Sequence, residues 1–255
     1  MERVWSTPGG NYSPLYYDML QQVHLLVAGA AGSGKSTVVN GIMQAALLNA
    51  PCKVGFILID PKGTELYEYR RLPHTITYAM DINDCIKALQ YALQLTRQRF
   101  NEMRHKGLRM FDGADVYIII DELMFLMNRP TVKKQAMNLL QDILVIARAA
   151  RVHVIACTQS PTAATGLPVN LRCNFDSRLG LRTSTAQDSR NIIGVKGCEQ
   201  FPNPTLTHKA YGYYMHGGEM ELYKLPPADD NERQRLTDYW TGPAGKGRIK
   251  LFSRG

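Results

Sequence analysis

The sequence predicts an α/β fold, a mainly parallel sheet with helices on both faces and a β-hairpin near the C-terminus. Three observations carry this. Residues 24–37 read His-Leu-Leu-Val-Ala-Gly-Ala-Ala-Gly-Ser-Gly-Lys-Ser-Thr, an apolar strand running into the phosphate-loop pattern G-x-x-x-x-G-K-[ST] and then into a helix. Short β-branched runs alternate with helical periodicity as far as Ser160, the pattern of strands joined by crossover helices. Two alternating runs then flank His216-Gly217-Gly218, a hairpin signal.

Residues 1–22 form a lead-in, with Pro8-Gly9-Gly10 suggesting a short hairpin or an extended approach to the first core strand at 25–28. Gly29, Gly34, Lys35 and Ser36 then fill the phosphate-loop pattern, and residues 38–48 continue as a helix. Glycines in such a loop let successive backbone N–H groups converge on phosphate oxygens where the helix dipole already favours negative charge. The predicted nucleotide cradle is Gly29, Ala30, Ala31, Gly32, Ser33, Gly34, Lys35, Ser36 and Thr37. Lys35 reaches the β- and γ-phosphates and the Ser36 hydroxyl ligates Mg²⁺, so ATP and Mg²⁺ are the expected cofactors.

Asn49-Ala50-Pro51 stops that helix, and residues 54–59 make a second buried strand ending at Asp60-Pro61-Lys62-Gly63. Ile86, Leu89, Leu93, Thr96, Phe100 and Met103 recur every three or four residues and predict a helix over 84–104. Its end carries Arg97, Arg99, Arg104, His105, Lys106 and Arg109, a basic cluster that reads equally as a solvated face or as phosphate contacts. Residues 116–120 predict a third strand closing on Asp121-Glu122, residues 132–150 a long helix, and residues 152–157 a fourth strand ending at Thr158-Gln159-Ser160-Pro161. Residues 162–174 read as loop, 178–183 as a further strand, and Thr185-x-x-Asp188 as a capping box opening a helix to Ile193. The domain expectation is a lead-in over 1–22, one ATPase domain over 23–225, and an appended 226–255. That last piece is acidic and helix-prone through Trp240, then a flexible basic tail.

Composition adds limits. The chain has 255 residues, 45% of them hydrophobic, enough for one sizeable core. A formal net charge of +8 favours an anionic partner such as nucleic acid. The five cysteines contain no C-x-x-C pair, which argues against a zinc site or a disulfide framework and for a reducing cytoplasm. No apolar run reaches the roughly 18 to 20 residues of a membrane span, and residues 1–10 lack the apolar core of a signal peptide.

Asp121 and Glu122 follow an apolar strand, where a phosphate-loop ATPase places one carboxylate for Mg²⁺ and one to activate the attacking water. The alternative is an acidic helix cap. Gln159 ends the next strand, placed to contact the γ-phosphate or its water. Arg148 and Arg151 stand at a predicted helix C-terminus, where a basic side chain also suits the dipole.

Taken together, these motifs resemble the motor domain of the FtsK/SpoIIIE DNA translocases, within a wider group that includes HerA-type and conjugative coupling ATPases. The resemblance runs from His24 to about Lys224. It rests on the phosphate loop, Ile-Asp-Pro-Lys-Gly-Thr-Glu-Leu at 59–66, Ile-Asp-Glu-Leu at 120–123, Ala-Arg-Ala-Ala-Arg-Val-His-Val-Ile-Ala-Cys-Thr-Gln-Ser-Pro at 147–161, Thr-Gly-Leu at 165–167 and Asp-Ser-Arg at 188–190. It implies a RecA-like core assembled as a ring, usually a hexamer, around double-stranded DNA. It also implies that Asp121 and Glu122 form a Walker B pair, Arg148 is an arginine finger toward the neighbouring subunit, Gln159 is a sensor, and Arg172 and Arg178 are pore-loop contacts to the DNA backbone. Against the family pattern the chain reads as a minimal motor. The expectation is a motor without the family's membrane-spanning N-terminal region, with little ring-entrance subdomain and without a winged-helix module, and Phe201-Pro202-Asn203-Pro204 stands where the family has a short glycine-rich turn. A plasmid, conjugative or phage setting with a membrane or pore partner is therefore as fitting as chromosome segregation. The alternative function is a coupling or packaging ATPase that delivers DNA to a pore or capsid. A small-molecule kinase would leave Arg148 and Gln159 without a role, and a non-hydrolysing scaffold would leave Asp121 and Glu122 without one.

Overall fold

The computed structural model describes residues 2–6, 14–17, 23–159, 169–225 and 229–245. In chain order its strands are β1 (Glu2–Ser6), β2 (Pro14–Tyr17), β3 (His24–Ala28), β4 (Val54–Ile59), β5 (Thr75–Ala79), β6 (Asp115–Ile120), β7 (Val152–Thr158), β8 (Ser177–Gly180), β9 (Tyr211–His216) and β10 (Glu219–Lys224). Its α-helices are α1 (Lys35–Asn49), α2 (Ile82–Lys106), α3 (Leu123–Met127), α4 (Pro130–Ile146), α5 (Val169–Cys173), α6 (Ala186–Ile193), α7 (Pro204–Thr207) and α8 (Asp230–Thr241). The strands form one sheet in the order β2-β1-β10-β9-β8-β3-β7-β6-β4-β5. From β8 to β5 all pairings are parallel, whereas β9, β10, β1 and β2 extend the sheet antiparallel. This is the predicted RecA-like α/β class, hairpin included.

Strand alternation explains the layers. On β6, Val116, Ile118 and Ile120 join the core beneath α2 and α4, while Tyr117 and Ile119 face the opposite core beneath α1. On β7, Val154 and Ala156 divide from Ile155 and Cys157 in the same way. Strands buried on both faces read as continuous apolar runs, which is why the sequence shows no polar alternation there.

The sequence reading differs from the structure in several places. β5 and α3 carry too short a pattern to be read, and part of the expected loop over 162–174 is the helix α5. The motif Thr-Gly-Leu at 165–167 and the basic tail beyond Gly245 lie outside the described residues. Within the 226–255 segment, α8 buries Trp240, whose ring stands edge-on to His74 at 4.8 Å. The helix predicted over 132–150 stops at Ile146. Phe111 N–H donates to Ala149 O, Arg99 Nη1 donates to Ala150 O and Arg151 O, and Arg151 takes a left-handed φ of 54°. These bonds hold the 147–151 backbone as a turn rather than a further helical turn.

Candidate active site

Six parallel strands place the C-terminal ends of β3, β4, β6 and β7 at one edge, where ligands bind in open α/β sheets. Because β7 and β6 lie between β3 and β4, Asp121 and Gln159 emerge beside the phosphate loop. They line a cleft of about 410 Å³ with Ala31, Gly32, Ser33, Gly34, Lys35, Ser36, Thr37, Lys62, Glu65 and Glu122.

The loop is held from both sides. Gly29 N–H donates to Thr158 O at 3.1 Å and Ala30 N–H donates to Arg182 O at 2.8 Å. A Cβ at Gly29 would stand 2.6 Å from Ser33 Oγ, so the close approach requires glycine. Gly34 caps α1 at φ 103°, a left-handed conformation other residues rarely adopt. The cap supplies no side-chain acceptor and the first turn holds no acid, which leaves the N-terminal amides available to an anion. Lys35 Nζ donates to Gly29 O at 2.7 Å and Ala30 O at 2.9 Å, folded across the loop where phosphate oxygens would compete for it. Burial lowers its pKa, with Cys157, Glu122 and Asp121 opposing.

Asp121 is buried, and its carboxyl is pushed up to about 6, first by burial and then by Glu65 and Asp60, with Lys62 opposing and Glu122 adding. That excess of acid fits Mg²⁺ between Asp121 and the Ser36 hydroxyl. No group of three or more His, Cys, Asp or Glu among the described residues could hold a metal ion by itself. Glu122 reconciles the two readings of the acidic pair. It caps α3, accepting Met124 N–H at 3.3 Å, and it also lines the cleft.

Asp121 yields a stability prediction. Its folded pKa lies above the unfolded value of about 4, so the contribution is present at low pH and lost as pH rises through about 6. Asp121→Asn should therefore melt higher than the parent at pH 8 without nucleotide, by about 2 kcal/mol, with no gain below pH 4. Thermal melts at both pH values check this, and a lower melting point at pH 8 would show that the carboxylate stabilises the fold.

Lys62 and Glu65 were given no role from sequence, yet both line the cleft. Their turn is organised by buried Asp60, whose Oδ1 accepts Gly63 N–H at 3.0 Å and whose Oδ2 accepts Leu66 N–H at 2.9 Å. An Asp-Pro-x-Gly turn ending a core strand was the available signal.

Arg148 is not in the cleft. It is exposed in the turn before β7, at the edge where β3 and β7 begin. Seven residues of β7 separate it from Gln159, roughly 20 Å at the rise of a strand. Its charge is felt instead by His24, whose pKa falls to about 3 mainly through burial and then through His153, with Arg148 also lowering it. Arg151 is committed elsewhere, with Nε 2.9 Å and Nη2 2.6 Å from the two Asp115 oxygens. Arg190 is exposed on α6.

Arg172 and Arg178 are half-buried and hold main-chain carbonyls. Arg172 Nη1 donates to Asn191 O at 2.5 Å, and Arg178 donates to Ile192 O at 3.4 Å and Arg172 O at 3.3 Å. Burial lowers the Arg178 pKa, and Arg172 adds to that. The basic cluster at the C-terminal end of α2 also divides. Arg99 is buried, Arg97 faces Asp142 at 3.6 Å and Lys106 pairs with Glu102 at 2.6 Å. Arg104 and Arg109 are exposed.

Comparison with known proteins agrees with this architecture. The chain is 33% identical over 251 residues to the DNA translocase FtsK of Staphylococcus epidermidis, covering 89% of this chain and 30% of that protein. It thus spans about a third of the length of the curated relatives it matches. Among solved structures, the pCW3 conjugation coupling protein TcpA with ATPγS superposes with a TM-score of 0.77 at 17% identity, covering 91% of this chain and 68% of that one. EssC (ATPases 2 and 3) from Geobacillus thermodenitrificans gives 0.78 at 15% identity, covering 93% and 49%. Those two likenesses establish the fold. The FtsK/SpoIIIE family model matches residues 7–199, and the chain belongs to that family.

Proposed function

We propose that this chain is the motor segment of an ATP-driven DNA translocase. It binds and hydrolyses ATP at the boundaries between copies in a ring, six in the family's usual arrangement, and moves double-stranded DNA through a basic pore. The observation that supports this most is the division of chemistry. Phosphate loop, carboxylates and Gln159 share one sheet edge, and Arg148 stands about 20 Å away on the other. A single copy cannot bring Arg148 to its own nucleotide, whereas a neighbour can.

Backbone N–H groups of residues 34–37, at the N-terminus of α1, bind the β- and γ-phosphates within the 29–37 cradle, and Lys35 leaves its loop carbonyls to neutralise them. Mg²⁺, held by Ser36 and Asp121, would offset charge between the phosphate oxygens and Asp121. Glu122 orients the attacking water and takes its proton, and Gln159 senses the γ-phosphate. Arg148 of the neighbouring copy stabilises charge on the transferred phosphoryl group.

ATP turnover measured with and without duplex DNA, followed by displacement of a third strand from a triplex, tests this reading. Displacement requiring hydrolysis is expected; DNA-independent turnover without displacement overturns it. A second reading, a coupling or packaging ATPase working with a membrane or pore partner, uses the same residues and is favoured by the fold shared with TcpA. No helix among the described residues is long and apolar enough to cross a membrane, so such a partner would supply the channel, and the motor would act from the cytoplasm.

Arg172 and Arg178 contribute to DNA grip as pore-loop contacts through their charge, and they also hold α5 against α6. Arg172→Ala and Arg178→Ala should each weaken DNA binding equally across sequences and reduce its salt slope by roughly one counterion. A lowered melting point with unchanged DNA affinity would assign them to the scaffold alone.

A further inference from the structure

Arg99 is 4% exposed, a cation buried at the sheet edge opposite the cleft. Its Nη1 donates to Ala150 O at 2.8 Å and to Arg151 O at 3.1 Å, and its guanidinium lies 4.4 Å from the centre of the Phe111 ring. Phe111 in turn donates its own N–H to Ala149 O at 2.8 Å. The three carbonyls so captured belong to consecutive residues directly after Arg148. Arg151 completes the fixation through its two-point contact with Asp115, which also lies 2.9 Å from His153 Nε2. Burial raises the Asp115 carboxyl, but the bonds from His153 and Arg151 outweigh it and hold it below the usual range.

Packing α2 against this turn does not require a guanidinium, since burying a cation is costly and an aliphatic side chain fills the same space. What Arg99 adds is direction, because one nitrogen bonds two successive carbonyls and thereby sets the orientation of the turn. Exposed Arg148 is then carried on a backbone whose next three carbonyls are all held.

We propose that Arg99, with Phe111 packed on its guanidinium, is a positioning group that aims Arg148 at the nucleotide of the neighbouring copy. This rests on the reading of Arg148 as an inter-subunit finger. Arg99 itself touches no nucleotide; it acts through the 147–151 turn. The 107–114 segment, which supplies Phe111, becomes part of the ATPase machinery although it is remote from the phosphate loop of its own copy.

Arg99→Met keeps an unbranched side chain of similar length but offers no donor to either carbonyl. A misplacement of about 1 Å in a catalytic group lowers rate by about 10²-fold, so kcat should fall between 10- and 100-fold while KM for ATP stays near the parent value. Phe111→Leu, which leaves the main-chain bond to Ala149 in place, should show a smaller loss of the same kind and guards against an Arg99 variant that does not fold. The deciding measurement is mixing. Either variant combined with Lys35→Ala should regain turnover, because interfaces then form between an intact phosphate loop and an intact finger. A defect within the variant's own cleft would not be rescued this way.

Parental kcat in both variants, or lost turnover that Lys35→Ala does not restore while it does restore Arg148→Ala, overturns the positioning role and leaves the finger reading intact. If Arg148→Ala is not restored either, the inter-subunit reading fails and the positioning role falls with it.

Discussion

Arg148→Ala should keep its fold and its ATP affinity and lose hydrolysis by a factor on the order of 10³ to 10⁵, the range for arginine fingers, if the proposed finger role holds. The residue is exposed in a turn and does not line the phosphate cleft of its own copy, so ATP binding should change little. Mixing with Lys35→Ala is the informative arm. Each variant is inactive alone, but a mixed ring contains some boundaries pairing an intact loop with an intact arginine, and partial turnover returns. If Arg148 merely favoured a helix dipole, its removal would cost a fraction of a kcal/mol, leave turnover unchanged and show no recovery on mixing. Normal hydrolysis by Arg148→Ala in the presence of DNA would transfer the role to exposed Arg190, since Arg151 is held by Asp115.

Glu122→Gln and Lys35→Ala separate binding from chemistry. The glutamine retains an oxygen for Met124 N–H, so α3 stays capped, but it cannot take a proton from water. Turnover should fall about 10² to 10⁴-fold, the usual contribution of a general base, with ATP binding intact. Saturating ATP at about 100 times Kd should then stabilise the variant by about 2.7 kcal/mol, read as a raised melting temperature. Lys35→Ala should show no such rise, because the loop loses the ammonium that bonds its carbonyls and would neutralise the phosphates. A Glu122→Gln protein that hydrolyses ATP at the parental rate would remove the base assignment.

The parts of the site legible in the sequence were those written in a contiguous motif. Gly29 to Thr37 needs strand, loop and helix in immediate succession, and Asp121 and Gln159 each end an apolar run that can only be a buried strand. Lys62 and Glu65 escaped because their position depends on the Asp60 turn, whose bonds to Gly63, Leu66 and Tyr78 do not show as periodicity. β5 escaped for a related reason: at the sheet's edge four of its five residues are only half-buried, so it lacks the unbroken apolar run of the central strands.

The sequence by itself determined the class of chemistry, the α/β alternation and the residues of the phosphate loop, because backbone geometry over a few residues dictates all three. Tertiary structure alone decided which end of the sheet each basic side chain occupies. The basic cluster at the end of α2 reads as uniform in sequence, yet Arg99 is buried against the 147–151 turn while Arg97 and Lys106 meet surface acids. Arg172 and Arg178 looked like a pair of DNA contacts and are found holding the carbonyls of α6 and α5. The physical reason is that an arginine's partners are chosen by contacts across long sequence separations, 51 residues from Arg99 to Ala150, and local pattern carries no record of them.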